Sequence, residues 1–355
     1  MAHVMGRIGQ TGIFVALLAL LNPSLGWSGP AEDALNKGLN LHEAGNLNEA
    51  IVQYGRAIKL NRRLAEAYFN RGNAYYDLGK NASAIKDYSE AIRLNPKDVE
   101  AYYNRGNTYR RLAQHERALR DYTSAIRLKS DDARLYVNRG SVHYSMSQFR
   151  SAVGDYTEAI RIDPKEPDAY YNRANAYIRL GNKEKALADY NEALDLNRDF
   201  AEAHYNRGIA YAELGQPEKA IDDYTAVLKS NPQSAEAYYN RGLGRFKLGE
   251  HEAAVEDFSE AIRLNPKDAE AIYNRGLVYG KIEKYEQAAR DYTECIILQP
   301  RNAEAYGQRG LVRLYQGKQT EAEADLKKAY QLDGNLKKKL QPLIDKVKSR
   351  ASENP

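Results

Sequence analysis

The 355-residue chain contains one cysteine, one tryptophan, three methionines and six phenylalanines. A single thiol excludes an intramolecular disulfide framework and a cysteine-based zinc cluster. Charge of one sign is also scarce. The net charge is +4, and it arises at the C-terminus, where residues 327–355 hold eight basic and three acidic side chains. A nucleic-acid surface needs basic residues gathered over a domain. Residues 31–326 carry 43 basic and 45 acidic side chains, so no nucleic-acid partner is expected. Catalytic constellations are missing too. His115-Glu116 and His251-Glu252 begin like a zinc-protease motif, but no second histidine follows at the required spacing. Gly242-x-Gly244 follows a helical pattern and lacks a third glycine, so it is not a nucleotide loop. Cys295 falls in a small-residue column and reads as an inert buried thiol, and His143 and His204 stand in tyrosine columns, where packing would explain them.

The one long apolar run, Ile13–Leu21, has nine residues, against about 20 for a membrane span. It follows Arg7 and precedes small and turn-forming residues. That is the three-part layout of a secretory signal peptide. Residues 1–30 are therefore expected to be a signal and linker. The expected location is periplasmic, with an uncleaved membrane anchor as the alternative.

Against these absences stand 28 tyrosines, an excess that suggests one unit copied many times. From Ala31 to Leu336 the sequence repeats nine times with a period of 34 and no insertion. Residues 65–98 read AEAYFNRGNAYYDLGKNASAIKDYSEAIRLNPKD. Tyr68, Gly72 and Tyr75 lie on one face of a first helix, and Ala84, Tyr88 and Ala91 on one face of a second. Gly79 sits where a left-handed helix cap favours glycine, and Gly45, Gly181, Gly215, Gly249 and Gly317 share its column. Pro96 closes the unit. An alanine column runs unbroken from Ala50 to Ala322. A glycine column (Gly38, Gly72, Gly106, Gly140, Gly208, Gly242, Gly276, Gly310) is broken only by Ala174. Glycine inside a helix costs about 1 kcal/mol relative to alanine, so its recurrence implies that a Cβ would clash there.

These units resemble tetratricopeptide repeats in period, in the Tyr-x-x-x-Gly-x-x-Tyr first helix, in the Ala-x-x-x-Tyr-x-x-Ala second helix and in the closing proline. The resemblance covers residues 31–336. It implies an all-α, right-handed superhelical solenoid of helix-turn-helix units in which first helices line a concave surface. Residues 337–355 are expected to form a basic capping helix. Its apolar stripe would be Leu340, Leu343, Ile344 and Val347, with a kink at Pro342; its lysines could make weak contact with an anionic surface.

One column holds Asn36, Asn70, Asn104, Asn138, Asn172, Asn206, Asn240 and Asn274, then Gln308. An amide has both donor and acceptor and can bond a peptide backbone at both. First helices about 10 Å apart would meet an extended chain, at about 3.3 Å per residue, near every third residue. The column resembles the asparagine ladder in the repeats of O-linked N-acetylglucosamine transferases. The competing reading is that the amides only link neighbouring units. An aromatic usually precedes each asparagine: Phe69, Tyr103, Tyr171, Tyr205, Tyr239 and Tyr273. Tyrosine offers large contact area with few rotors, so this column is the second candidate for peptide contact. The carboxylate clamp of chaperone-binding family members is missing. Where it needs a lysine, this chain has Glu66, Glu100, Asp168, Glu202, Glu236, Glu270 and Glu304, with Arg134 as the exception.

Arginine follows the asparagine column in eight units, after Gln308 in the last, and aspartate recurs as regularly in their second helices, which implies an Arg–Asp ladder of structural role. One turn after the asparagines, Asn73, Asn107, Ser141 and Asn175 give way to Ile209, Leu243, Leu277 and Leu311, so a groove lined by this column would change from polar to apolar. The sequence thus describes a non-catalytic scaffold, with no metal or cofactor, that binds other proteins or extended peptides. The alternative is a self-assembling structural protein or regulatory subunit acting through its end faces or basic tail.

Overall fold

The computed structural model describes residues 29–353; the signal-like segment lies outside them. The chain divides into two compact units, the first ending at Leu196 and the second beginning at Asn197. The first holds α1 (Pro30–Glu43), α2 (Leu47–Leu60), α3 (Ala65–Asp77), α4 (Asn81–Leu94), α5 (Val99–Arg111), α6 (His115–Leu128), α7 (Ala133–Ser145), α8 (Phe149–Ile162), α9 (Pro167–Arg179) and α10 (Lys183–Leu196). The second holds α11 (Ala201–Glu213), α12 (Pro217–Ser230), α13 (Ala235–Leu248), α14 (His251–Leu264), α15 (Ala269–Lys281), α16 (Tyr285–Leu298), α17 (Ala303–Tyr315), α18 (Gln319–Leu332) and α19 (Asn335–Glu353). No described helix is long and apolar enough to cross a membrane.

The repeat frame and the helices coincide: α3, α7, α11, α13, α15 and α17 each begin on the frame's first alanine. Local chemistry sets these ends. The Asp98 carboxylate and the Ser234 hydroxyl accept from backbone N–H groups in the first turns of α5 and α13, which otherwise lack partners. Between the helices of a hairpin the chain turns through one left-handed residue. Six of these are the glycines of the cap column, with φ from 72° to 81°. In the other three repeats that have this turn resolved as positive φ, the residue is Ala113, Ser147 or Glu283, at φ 54° to 59°. The turn is thus imposed by the hairpin even where a Cβ makes it costly.

The hairpins pack an alanine and a large ring against the glycine of the first helix, with Leu326 in place of the ring in the ninth and Ala174 in place of the glycine in the fifth. Ala50, Ala84, Ala118, Ala152, Ala186 and their equivalents are fully buried, as are Tyr54, Tyr88, Tyr122, Tyr156, Tyr190, Tyr224, Phe258 and Tyr292. A Cβ on Gly72 would lie 2.8 Å from the Tyr88 ring, and one on Gly208 2.9 Å from the Tyr224 ring, inside van der Waals contact. The glycine column is therefore a packing requirement. Ala174 shows that its ring, Tyr190, can yield in one repeat.

Within each unit, first helices touch the next first helix: α1–α3–α5–α7–α9 and α11–α13–α15–α17. Among the described residues no second helix touches the next second helix. Second helices are therefore splayed and first helices drawn together, which puts the first-helix layer on the inner side of each unit's curvature. Helix α19 packs chiefly on α17, burying Leu336, Leu340, Ile344 and Val347. One detail of the expected cap is corrected. Leu343 is 47% exposed, because it stands at the edge of the stripe that Leu336, Leu340, Ile344 and Val347 bury. Helix α19 continues through Pro342 as one element.

Candidate functional site

The arginines of the first helices form a ladder. Arg71 donates through Nε and Nη2 to both oxygens of Asp87, at 2.7 and 2.9 Å. The same fork joins Arg105–Asp121, Arg139–Asp155, Arg173–Asp189, Arg207–Asp223, Arg241–Asp257, Arg275–Asp291 and Arg309–Asp325. Every aspartate is buried. The third nitrogen reaches the preceding hairpin: Arg105 Nη1 donates to Ser89 Oγ, Arg275 to Ser259 and Arg309 to Thr293, at 2.9 to 3.2 Å. One side chain thus locks its own hairpin and registers it on its neighbour. With the fork spent on a buried aspartate and Nη1 on the neighbouring hairpin in Arg105, Arg275 and Arg309, this column holds the stack together.

The asparagines behave differently. Asn138 Nδ2 donates to the Tyr103 hydroxyl at 3.2 Å and to the Arg134 carbonyl at 2.8 Å. Asn240 donates to Tyr205 at 3.0 Å, and Asn274 to Tyr239 at 3.1 Å. Asn70 donates to the Glu66 carbonyl and Asn104 to Asn73 Oδ1. Asn206 is engaged as well; Asn172 is half-buried. The structure therefore joins the two candidate columns: the amide of one repeat caps the phenol of the repeat before it. The donor end is spent inside the protein. Asn138, Asn240 and Asn274 are half-buried, and among the described residues their amide oxygens receive no hydrogen bond.

The aromatic column rests on its own hairpin. Phe69, Tyr103, Tyr171, Tyr205, Tyr239 and Tyr273 lie 5.7 to 6.2 Å, centroid to centroid, from the core ring of the same repeat. Tyr171 is only 5% exposed; Tyr103, Tyr205, Tyr239 and Tyr273 are half-buried. Carboxylates of the following repeat lie close to these phenols. Burial, then Glu270, pushes the Tyr239 hydroxyl up to about 12. Burial raises Tyr205 and Tyr273 also, aided by Glu236 and Glu304.

The polar column at Asn73, Asn107, Ser141 and Asn175 has an internal explanation. The core phenols of Tyr88, Tyr122 and Tyr190 donate to Asn73, Asn107 and Asn175 Oδ1 at 2.6 to 2.8 Å, and Tyr156 to Ser141 at 3.3 Å. His204 and His143 make polar bridges from their tyrosine columns: His204 Nδ1 lies 2.8 Å from Asp223, and His143 Nδ1 2.6 Å from Gln148. Cys295 is fully buried, and burial raises its thiol pKa. Among the described residues no group of His, Cys, Asp or Glu could hold a metal ion. A cavity of about 160 Å³ closes the C-terminal end of the first-helix face, among Tyr273, Glu304, Gln308 and Lys339. A larger one, about 640 Å³, opens near α16 and the start of α18, away from both columns.

Family profiles described as TPR repeat or tetratricopeptide repeat match residues 38–113, 99–132, 144–215, 205–269, 269–302 and 303–336. The chain belongs to the tetratricopeptide-repeat family. As such it is a protein-interaction scaffold, of a family that is generally non-catalytic. No curated protein matches it. Among solved structures, a tetratricopeptide-repeat protein from Parabacteroides merdae is 22% identical with a TM-score of 0.50, over 70% of this chain and 98% of that one. YrrB, a TPR protein with an unusual peptide-binding site, is 27% identical with a TM-score of 0.48, over 53% and 97% of the two chains. MamA is 29% identical with a TM-score of 0.46, over 49% and 94%.

Proposed function

We propose that this tetratricopeptide-repeat chain holds an extended segment of another protein on its first-helix face, after export to the periplasm. The carrying observation is the link by which the amide nitrogens of Asn138, Asn240 and Asn274 are held on the phenols of the preceding repeats. Fixed by the phenol behind them, Asn138, Asn240 and Asn274 each offer an amide oxygen as acceptor at a set orientation. An extended peptide offers backbone N–H donors at a spacing that matches such a column about every third residue. Because these contacts ignore side-chain identity, they grip a segment without choosing it, while Tyr103, Tyr205, Tyr239 and Tyr273 add half-exposed ring surface. The signal-like layout of residues 1–30 supports export.

In-cell crosslinking followed by mass spectrometry identifies the main partner. The joint variant Asn206→Ala, Asn240→Ala, Asn274→Ala is then expected to weaken its capture at least about tenfold, three backbone hydrogen bonds being worth about 0.5–1.5 kcal/mol each. Helical content stays unchanged. Unaltered capture would assign the amides to joining repeats alone.

A further inference from the structure

Repeat four displays what the first-helix face can hold. At the second position of its first helix, where other repeats have Glu or Asp, stands Arg134. Its guanidinium carbon lies 5.2 Å from the centroid of the Tyr103 ring, and its Nη2 donates to Glu100 Oε1 at 2.8 Å. It is held from its own side by Asp132. Glu100 and Tyr103 are three residues apart on α5, the preceding first helix. A glutamate and a tyrosine one turn apart therefore make a seat for a cation: a carboxylate for charge and hydrogen bonding, and a ring face for the guanidinium plane.

In the second unit the same pair recurs without the arginine, as Glu202 with Tyr205, Glu236 with Tyr239 and Glu270 with Tyr273. The three glutamates are exposed, and none forms a salt bridge among the described residues. Glu270 accepts only a long hydrogen bond, 3.5 Å, from the Tyr239 hydroxyl. Hydrogen-bond polarity agrees with charge. The amide nitrogens of Asn240 and Asn274 donate to phenols, so the exposed groups of this face are led by carboxylates, which accept. The ladder arginines behind this face are neutralised by their aspartates. Beyond the ladder arginines, the next cation of α13 is Arg245, nine residues after Glu236, about 14 Å away and paired with Asp257; on α15 it is Lys281, eleven residues after Glu270, about 16 Å away. At the C-terminal end, where Gly307 replaces the tyrosine, the chain's own Lys339 shares the small cavity with Glu304.

We propose that the second unit takes a basic extended segment of a partner protein, with Lys or Arg at about every third residue, each cation seated between the glutamate and tyrosine of one repeat. The spacing follows from first helices about 8–10 Å apart and about 3.3 Å per extended residue. The proposal rests on the groove reading above and adds the chemistry of the partner. It differs from the carboxylate-gripping clamp in sign: here the groove supplies the carboxylates.

The test uses the full chain and fluorescein-labelled synthetic peptides in fluorescence anisotropy. One peptide has three arginines at every third residue, a second has the same composition with the arginines contiguous, and a third has glutamates in their place. The spaced-arginine peptide is expected to bind best, the contiguous one at least about fivefold more weakly and the glutamate one not at all. The triple variant Glu202→Gln, Glu236→Gln, Glu270→Gln should lose about thirtyfold in affinity for the spaced peptide, from three exposed charge contacts with their ring partners, and most of its salt dependence. Equal binding by this variant, or a preference for the glutamate peptide, overturns the proposal. The asparagine triple variant separates the two readings. If it weakens a neutral segment while the glutamine variant does not, the groove stands and the charge assignment falls; if neither variant matters, both fall.

Discussion

Replacing Arg275 with methionine isolates the ladder's contribution. The change removes two hydrogen bonds to Asp291, at 2.9 and 2.8 Å, and one to Ser259 at 3.2 Å. Methionine keeps most of the apolar stem, so the main loss is electrostatic. Asp291 stays behind with 6% of its side chain exposed. Breaking a buried pair from one side costs about 3–5 kcal/mol, because the remaining charge has no compensation. For a unit of this size that is roughly 10 °C in melting midpoint. The pH dependence carries a sign. Burial already raises the Asp291 pKa, and Arg275 pulls it back down; without the arginine it rises further. A carboxyl whose folded pKa lies above its unfolded one binds protons more tightly when folded, so the destabilisation is full at neutral pH and is relieved as pH falls through the folded pKa. Thermal melts followed by circular dichroism should show a deficit at about pH 8 that shrinks at about pH 5. Adding Asp291→Leu should recover most of it. A deficit below about 1 kcal/mol at pH 8, or one that grows on acidification, would refute the reasoning.

Two further outcomes follow from the backbone. Gly72→Ala should destabilise by about 1–3 kcal/mol through the 2.8 Å approach to Tyr88, whereas Gly154→Ala, with nothing within 4 Å of its new Cβ, should stabilise by about 0.5–1 kcal/mol; matched denaturant titrations compare them. Glycine at Ala113, Ser147 and Glu283 should relieve the left-handed strain and raise stability by about 0.5–1 kcal/mol at each site, read as a rise in melting midpoint.

The architecture was legible because it is written nine times: period, caps and small-residue columns each recur, and the first helices of repeats two to nine begin where the frame of 34 does. The Arg–Asp pairing was legible for the same reason, since the first unit lacks both partners together. What stayed hidden is what one copy cannot express. The amide orientation depends on a phenol 35 residues earlier, in another hairpin. The role of Asn73 and Asn107 depends on hydroxyls pointing across from the second helix. Left-handed Ala113 is silent in sequence because the hairpin, not the residue, demands it. Arg134 read as a lapse in an acidic column until its contact with Glu100 and Tyr103 showed what such a column can seat.

The most direct test places a photo-crosslinking amino acid at Tyr239, on the first-helix face, and separately at the exposed Glu256 of α14. Irradiation in cells should join the partner to the first position and not the second. Crosslinks from Glu256 alone would put the guest on the second-helix side and contradict the account.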